Sequence, residues 1–159
     1  MRLLLVPALL LALVSCSSNK PKQENTSEND SGSNNGLVLN GSSDSGNAGG
    51  LRTVFFTKDS SKLTAQSKED LKSNAEFLKL NKSVSVEIEG HCDERGGRQY
   101  NLTLGERRAK TTRDYLLAMG VDSKQLTTMS YGNEKPVSFG HSEVEWSKNR
   151  RSNFFISAK

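Results

Sequence analysis

A break in composition near residue 50 sets the terms on which this chain can fold. Residues 17–50, SSNKPKQENTSENDSGSNNGLVLNGSSDSGNAGG, are dominated by Ser, Asn and Gly and hold no aromatic residue. Such a segment cannot bury enough apolar surface to offset the entropy of ordering it. The 159-residue chain is therefore left with one modest core, in residues 51–159. The stretch 17–50 reads as a flexible tether, with a coil span of about 30 Å and a taut limit on the order of 110 Å. Its one apolar island, Leu37-Val38-Leu39, reads as a sticky spot rather than a strand.

Ahead of the tether, Arg2 precedes the apolar run LLLVPALLLALV (3–14), and Ser15-Cys16 follow it. A basic start, a short apolar core and a small residue before the break describe a secretory signal over residues 1–15. The run is shorter than the roughly 20 residues a membrane-spanning helix needs. The junction Leu13-Val14-Ser15-Cys16 resembles a bacterial lipobox, in which cleavage falls before the cysteine and the thiol is acylated. Two or more acyl chains anchor a protein stably. Ser17 in place of Asp is similar to outer-membrane cargo. With Cys16 used for lipid, Cys92 is alone and no internal disulfide is available. The expected plan is a signal peptide (1–15), a lipidated Cys16 with a disordered linker (16–50) and a folded domain (51–159). The domain faces the periplasm from a lipid anchor in the outer membrane.

Within the folded part, Thr53-Val54-Phe55-Phe56 reads as a short strand. Thr64 caps a helix running to about Leu80, with Leu71, Ala75 and Leu78 on one face. Val84, Val86 and Ile88 alternate with polar residues, the pattern of a half-buried strand. Gly90 to Asn101 reads as a polar loop. Thr103-Leu104-Gly105-Glu106 matches a capping box, which predicts a helix from Leu104 to Gly120 with Ala109, Thr112, Leu116 and Met119 buried. Gly105 falls on that stripe, where a missing side chain permits close packing. Leu126–Tyr131 reads as a third strand, Glu143–Asn149 as a short helix anchored by Trp146, and Ser152–Ala158 as a last strand. This order predicts an α/β (α+β) sandwich, helices on a mixed sheet, with crossovers long enough to set neighbouring strands parallel.

The chemistry concentrates in Glu89–Ala109, EGHCDERGGRQYNLTLGERRA. On a continuing strand, adjacent His91 and Cys92 point to opposite faces and cannot form a nucleophile pair. His91, Cys92, Asp93 and His141 lack zinc-ligand spacing, so neither a metal nor a cofactor is expected. Gly96-Gly97 lacks the strand–turn–helix frame of a phosphate loop. Arg108 sits at the edge of its helix's buried stripe, one turn after Leu104, where its stem packs and its guanidinium points outward. Asp93 at a strand end and Arg108 then face one opening, with Asn101 between them. Such an opening suits a zwitterion, with Asp93 taking an ammonium and Arg108 clamping a carboxylate. The same two residues also make sense as a plain structural salt bridge. From residue 51 on, nineteen Lys/Arg face fourteen Asp/Glu. Their mixed order and the export signal argue against nucleic acid and for an anionic wall polymer.

These motifs resemble the OmpA-like C-terminal domain family, specifically its peptidoglycan-associated lipoprotein branch. The family pattern Asp-x7-Asn-x2-Leu-x3-Arg-Ala is met by Asp93, Asn101, Leu104, Arg108 and Ala109. The branch is marked by GHCDERG (90–96), YNLTLGERRA (100–109), SYGNEKP (130–136) and KNRR (148–151). The resemblance spans about residues 53–158. It implies non-covalent, non-enzymatic binding of peptidoglycan through meso-diaminopimelate of the stem peptide. Asp93 and Arg108 match the ligand-binding acid and base, and Asn101 and Leu104 match supporting positions. Phe56 joins them as the remaining aromatic of a family motif that here reads Phe56-Thr57-Lys58-Asp59, with Thr57 and Lys58 replacing an acid and an aromatic. The resemblance also implies partnership with TolB and other Tol proteins in cell division and envelope integrity. The alternatives are a protein mainly serving TolB, and a wall hydrolase using Asp93 or Glu94.

Overall fold

The capping signal at Thr64 does what its sequence implies. In the structure, a computed structural model that describes residues 38–158, its hydroxyl accepts from the Ser67 amide at 3.1 Å. The helix α1 (Ala65–Leu80) follows, burying Leu71, Ala75 and Leu78. Cys16, the signal segment, residues 17–37 of the tether, Leu37 among them, and Lys159 lie outside the described residues. Four strands form the sheet: β1 (Val54–Phe55), β2 (Ser85–His91), β3 (Leu126–Gly132) and β4 (Arg151–Ala158). Helix α2 (Arg98–Ala118) links β2 to β3, and the short α3 (Glu143–Asn149) precedes β4. None of these helices is long and apolar enough to cross a membrane.

The sheet order is β1-β4-β2-β3. β2 and β3 are parallel, as the α2 crossover predicts. The other expected parallel neighbours are not formed. β1 and β2 run the same way, but β4 is inserted between them, antiparallel to both. The physical reason is the last strand's apolar content. Phe154 and Ile156 are fully buried, and a central position covers both flanks of such a strand. The helix-facing side of the sheet carries Val86, Ile88, Phe154, Ile156 and Leu126, packed on Leu71, Leu78, Ala109 and Leu116. This is the sandwich that the element order implies.

Two boundaries differ from the sequence reading. Helix α2 starts at Arg98, not at Leu104, and Gly97 is its cap without a side-chain bond. The capping box therefore lies inside the helix. Thr103 Oγ1 turns back to the Gln99 carbonyl at 3.0 Å instead of capping. What ends the loop is Gly96, whose φ of +90° closes a tight turn two residues before the helix. The loop is thus shortened to residues 92–97.

The second difference concerns the linker. From Asn40 the chain is packed, not free. Asn40 donates to the Ile156 carbonyl and the Ile156 amide donates to Gly41. A 3-10 turn at Ser43–Ser45 then crosses the sheet face that the helices leave open. There the Ser42 and Ser43 hydroxyls both donate to Asn153 Oδ1 at 2.8 Å, and Asp44 pairs with Arg151 at 2.7 Å. Composition concealed this because the docking is polar, made by Ser, Asn and Asp side chains. Beneath it lie Glu89, which alternation placed on the polar face of the strand, and His91; both are buried.

Candidate functional site

Arg108 is fully buried, contrary to the outward guanidinium expected of it. Its Nε donates to the Ser60 carbonyl (2.9 Å), Nη1 to the His91 carbonyl (2.8 Å) and Nη2 to the Thr57 carbonyl (3.1 Å). The Phe56 ring lies 5.2 Å from its guanidinium carbon. Among the described residues no carboxylate pairs with it. Burial pushes its pKa below the ordinary arginine value, and the Arg150 charge adds to this, while Cys92, Asp93 and Asp59 oppose. A buried cation satisfied by neutral carbonyls and a thiol favours an incoming anion.

Asp93 is buried too, at the end of β2, but it does not meet Arg108. Its partners are Arg150, whose Nη1 is 3.2 Å from Oδ2, and Arg95, whose Nη2 is 2.6 Å from the same oxygen. Oδ1 accepts from the Arg95 amide and Arg95 Nε, both at 3.1 Å. Burial alone would raise the Asp93 pKa. The bonds from Arg95 and Arg150 outweigh it and hold the carboxyl below its ordinary value. Arg150 is itself anchored, donating to the Phe56 carbonyl (3.2 Å) and to Glu143 Oε1 (2.6 Å). The Asp93–Arg108 salt bridge that the sequence left open is therefore absent, and Arg150 takes that part.

Asp93, Arg108, Asn101 and Leu104 nonetheless line one opening, together with Asp59, Cys92, Arg95 and Arg150. Asn101 secures the loop, its Nδ2 donating to the Arg95 carbonyl at 3.0 Å. Cys92 Sγ donates to the Asn101 carbonyl (3.3 Å) and accepts from Arg108 Nη1 (3.4 Å). Burial raises the thiol's pKa, so Cys92 serves as a small neutral spacer there. His91 lies on the far face, its ring stacked 5.7 Å from Tyr131, as strand parity requires. His141 is elsewhere again, bonded through Nδ1 to Glu94 at 2.7 Å. Among the described residues no three His, Cys, Asp or Glu are placed to hold a metal.

Sequence reasoning missed four contributors. Arg95 and Arg150 stood in quoted motifs but had no role, because nothing in spacing says which basic residue reaches Asp93. The carbonyls of Thr57 and Ser60 carry no side-chain signal at all. They explain how Thr57 and Lys58 replace an acid and an aromatic without disturbing Arg108: the turn contributes main chain, while both side chains are exposed.

The profile of the OmpA family matches residues 55–150, which include every residue of this opening. The chain belongs to the OmpA family. It is 41% identical over 142 residues to a Brucella melitensis protein named peptidoglycan-associated lipoprotein, covering 89% of this chain and 83% of that one. A Pseudomonas aeruginosa protein of the same name is 44% identical over 120 residues, 76% of this chain and 71% of that one. Among solved structures, the peptidoglycan-associated lipoprotein from Burkholderia pseudomallei aligns with a TM-score of 0.64 at 39% identity. That alignment covers 66% of this chain and 89% of the other. The C-terminal domain of Helicobacter pylori MotB has the same TM-score at 22% identity, over 69% of this chain and 86% of that one, a likeness of fold alone.

Proposed function

We propose that this chain is an outer-membrane lipoprotein that binds peptidoglycan non-covalently and tethers the membrane to the wall. The observation that carries this is a buried guanidinium with no carboxylate partner among the described residues, set in the same opening as a buried Asp93 held below its ordinary pKa. A meso-diaminopimelate side chain carries an ammonium and a carboxylate on one carbon. Asp93 takes the first and Arg108 the second, with Phe56, Asn101 and Leu104 shaping the walls. The names of the relatives agree with this reading. A lipid on Cys16 holds the chain at the outer membrane, with the domain in the periplasm.

A wall hydrolase fits poorly. A general acid needs a raised pKa. Asp93 lies below its ordinary value, and Glu94 does too, held down by hydrogen bonds from His141 and Trp146. Co-sedimentation with isolated peptidoglycan tests the proposal. Asp93→Asn is expected to lose about 1.5–3 kcal/mol of binding, tenfold or more. Unchanged sedimentation overturns the assignment, and release of soluble muropeptides by the wild type restores the hydrolase. Cys16→Ser is expected to move the protein out of the membrane fraction.

A second reading, docking to TolB and other Tol proteins, is favoured by exposed apolar residues on α3 and in the loop before it. Phe139 is 80% exposed and Val144 66%, on the loop and helix that also carry Glu143 and Trp146. Titrating TolB against a bound wall fragment ranks the two ligands. Independent, simultaneous binding argues that they use separate surfaces.

A further inference from the structure

The opening that should receive the ligand holds about 10 Å³ of space, enough for a single water-sized group. Arg95 is one of the side chains that crowd it. Its guanidinium chelates both oxygens of Asp93, with Nε on Oδ1 and Nη2 on Oδ2. Arg95 is not the only cation on Asp93, because the buried Arg150 also reaches it from the interior, at 3.2 Å. Arg95 differs from Arg150 in having a way out. Its side chain is 28% exposed, stacked with its guanidinium carbon 4.0 Å from the Trp146 ring centre, and it lies 3.5 Å from Glu143 Oε2, an exposed carboxylate. Its main chain is pinned by the Asn101 amide on its carbonyl and by its own amide on Asp93. Only the side chain is free to turn.

Resting on the reading of Asp93 as the ammonium acceptor, we infer that Arg95 is an intramolecular latch on that subsite. Its guanidinium stands where the ligand's ammonium binds, and the ligand enters by displacing it toward Glu143. The contacts define both positions. In the closed position Arg95 is bidentate on Asp93 and lies on Trp146. In the open position Glu143 retains the cation, so release does not leave an unpaired charge. A cation that must be displaced lowers the apparent affinity by the fraction of molecules in which the site is open. It also makes the site selective, since a neutral or anionic group has nothing to offer Asp93 in exchange for Arg95.

The only tryptophan of the chain is the one beneath the latch, so its emission reports the state of Arg95. The test titrates free meso-diaminopimelate into the mature chain, by calorimetry and by Trp146 fluorescence. Wild type is expected to bind with a change in emission. Arg95→Gln is expected to bind about fivefold tighter, as for a latch closed in most molecules. Without ligand its emission already differs from wild type, and ligand changes it no further. Trp146→Leu, which keeps Arg95 but removes its platform, is expected to tighten binding as well. The gain persists at high salt, where long-range effects of the lost charge are screened. Weaker or equal binding by Arg95→Gln, with wild type binding normally, overturns the latch and leaves the site assignment standing. So does an emission that stays constant through saturation. Failure of wild type to bind either diaminopimelate or peptidoglycan overturns the site assignment, and the latch falls with it.

Discussion

Arg150 reaches Asp93 from the protein interior, Nη1 to Oδ2 at 3.2 Å, with both side chains nearly sealed from solvent. The acid read from the sequence as a ligand-binding group is therefore also a structural group. Removing one partner of a buried pair leaves the other charge uncompensated, at a cost of about 3 kcal/mol or more. Asp93→Ala is expected to lower stability by that amount in urea denaturation, and Asp93→Asn by less, since its amide oxygen still accepts from Arg150. Equal midpoints for wild type and Asp93→Ala argue that water replaces the carboxylate. Binding losses should accordingly be scored on Asp93→Asn.

Gly105 of α2 and Gly90 of β2 meet backbone to backbone. A Cβ built on Gly105 lies 2.7 Å from the Gly90 carbonyl oxygen and closer still to Ser130 Oγ. Replacing a mid-helix glycine by alanine normally gains about 1 kcal/mol of helix propensity. Here the backbone cannot yield, and overpacking of this kind costs about 1–3 kcal/mol. Gly105→Ala is expected to be destabilising, with the midpoint of thermal unfolding falling. A rise in that midpoint means that helix and strand are not in this contact.

Much of this was legible beforehand where a residue's pattern has only one physical use. Thr64 capped its helix, Gly105 fell on a packed stripe, and the Val86/Ile88 alternation marked a core strand. The strand order was not legible, because α-helical crossovers say which way β1, β2 and β3 run but not that β4 inserts between two of them. Asp93 and Arg108 were found as residues of one opening, yet their partners were not. A bidentate arginine and a carbonyl-bound arginine look the same in sequence.

The docking of residues 40–50 was the least visible feature, and it makes a prediction about where the domain begins. Asp44 and Ser42–Ser43 satisfy Arg151 and Asn153 on a sheet face that also holds buried Glu89. A fragment starting at residue 51 loses these bonds and uncovers a polar face. Leaving buried polar groups unpaired costs about 1–3 kcal/mol each, partly recovered by water. The fragment is therefore expected to be about 2 kcal/mol less stable than one starting at residue 38, by urea denaturation of both. Equal stability indicates that the segment rests on the domain without supporting it.

Beneath that segment, His91 is 1% exposed, and among the described residues neither ring nitrogen has a hydrogen-bond partner. Its Nε2 lies 3.5 Å from Glu89 Oε2. Burial lowers its pKa from the ordinary 6.5, the nearby Arg151 charge acts the same way, and Glu89 and Asp44 oppose. Tyr131 stacks on the ring, and Lys135 sits over Tyr131 at 3.5 Å. The unfolded chain binds a proton at His91 more readily than the folded one, so stability is full above about pH 6.5 and falls as pH drops below it. Denaturation midpoints measured from pH 7.5 to 5 are expected to decline for wild type. His91→Phe keeps the ring packed on Tyr131 and removes the titrating group, so its midpoints should stay level over that interval. A decline of the same size in His91→Phe assigns the acid sensitivity to other groups.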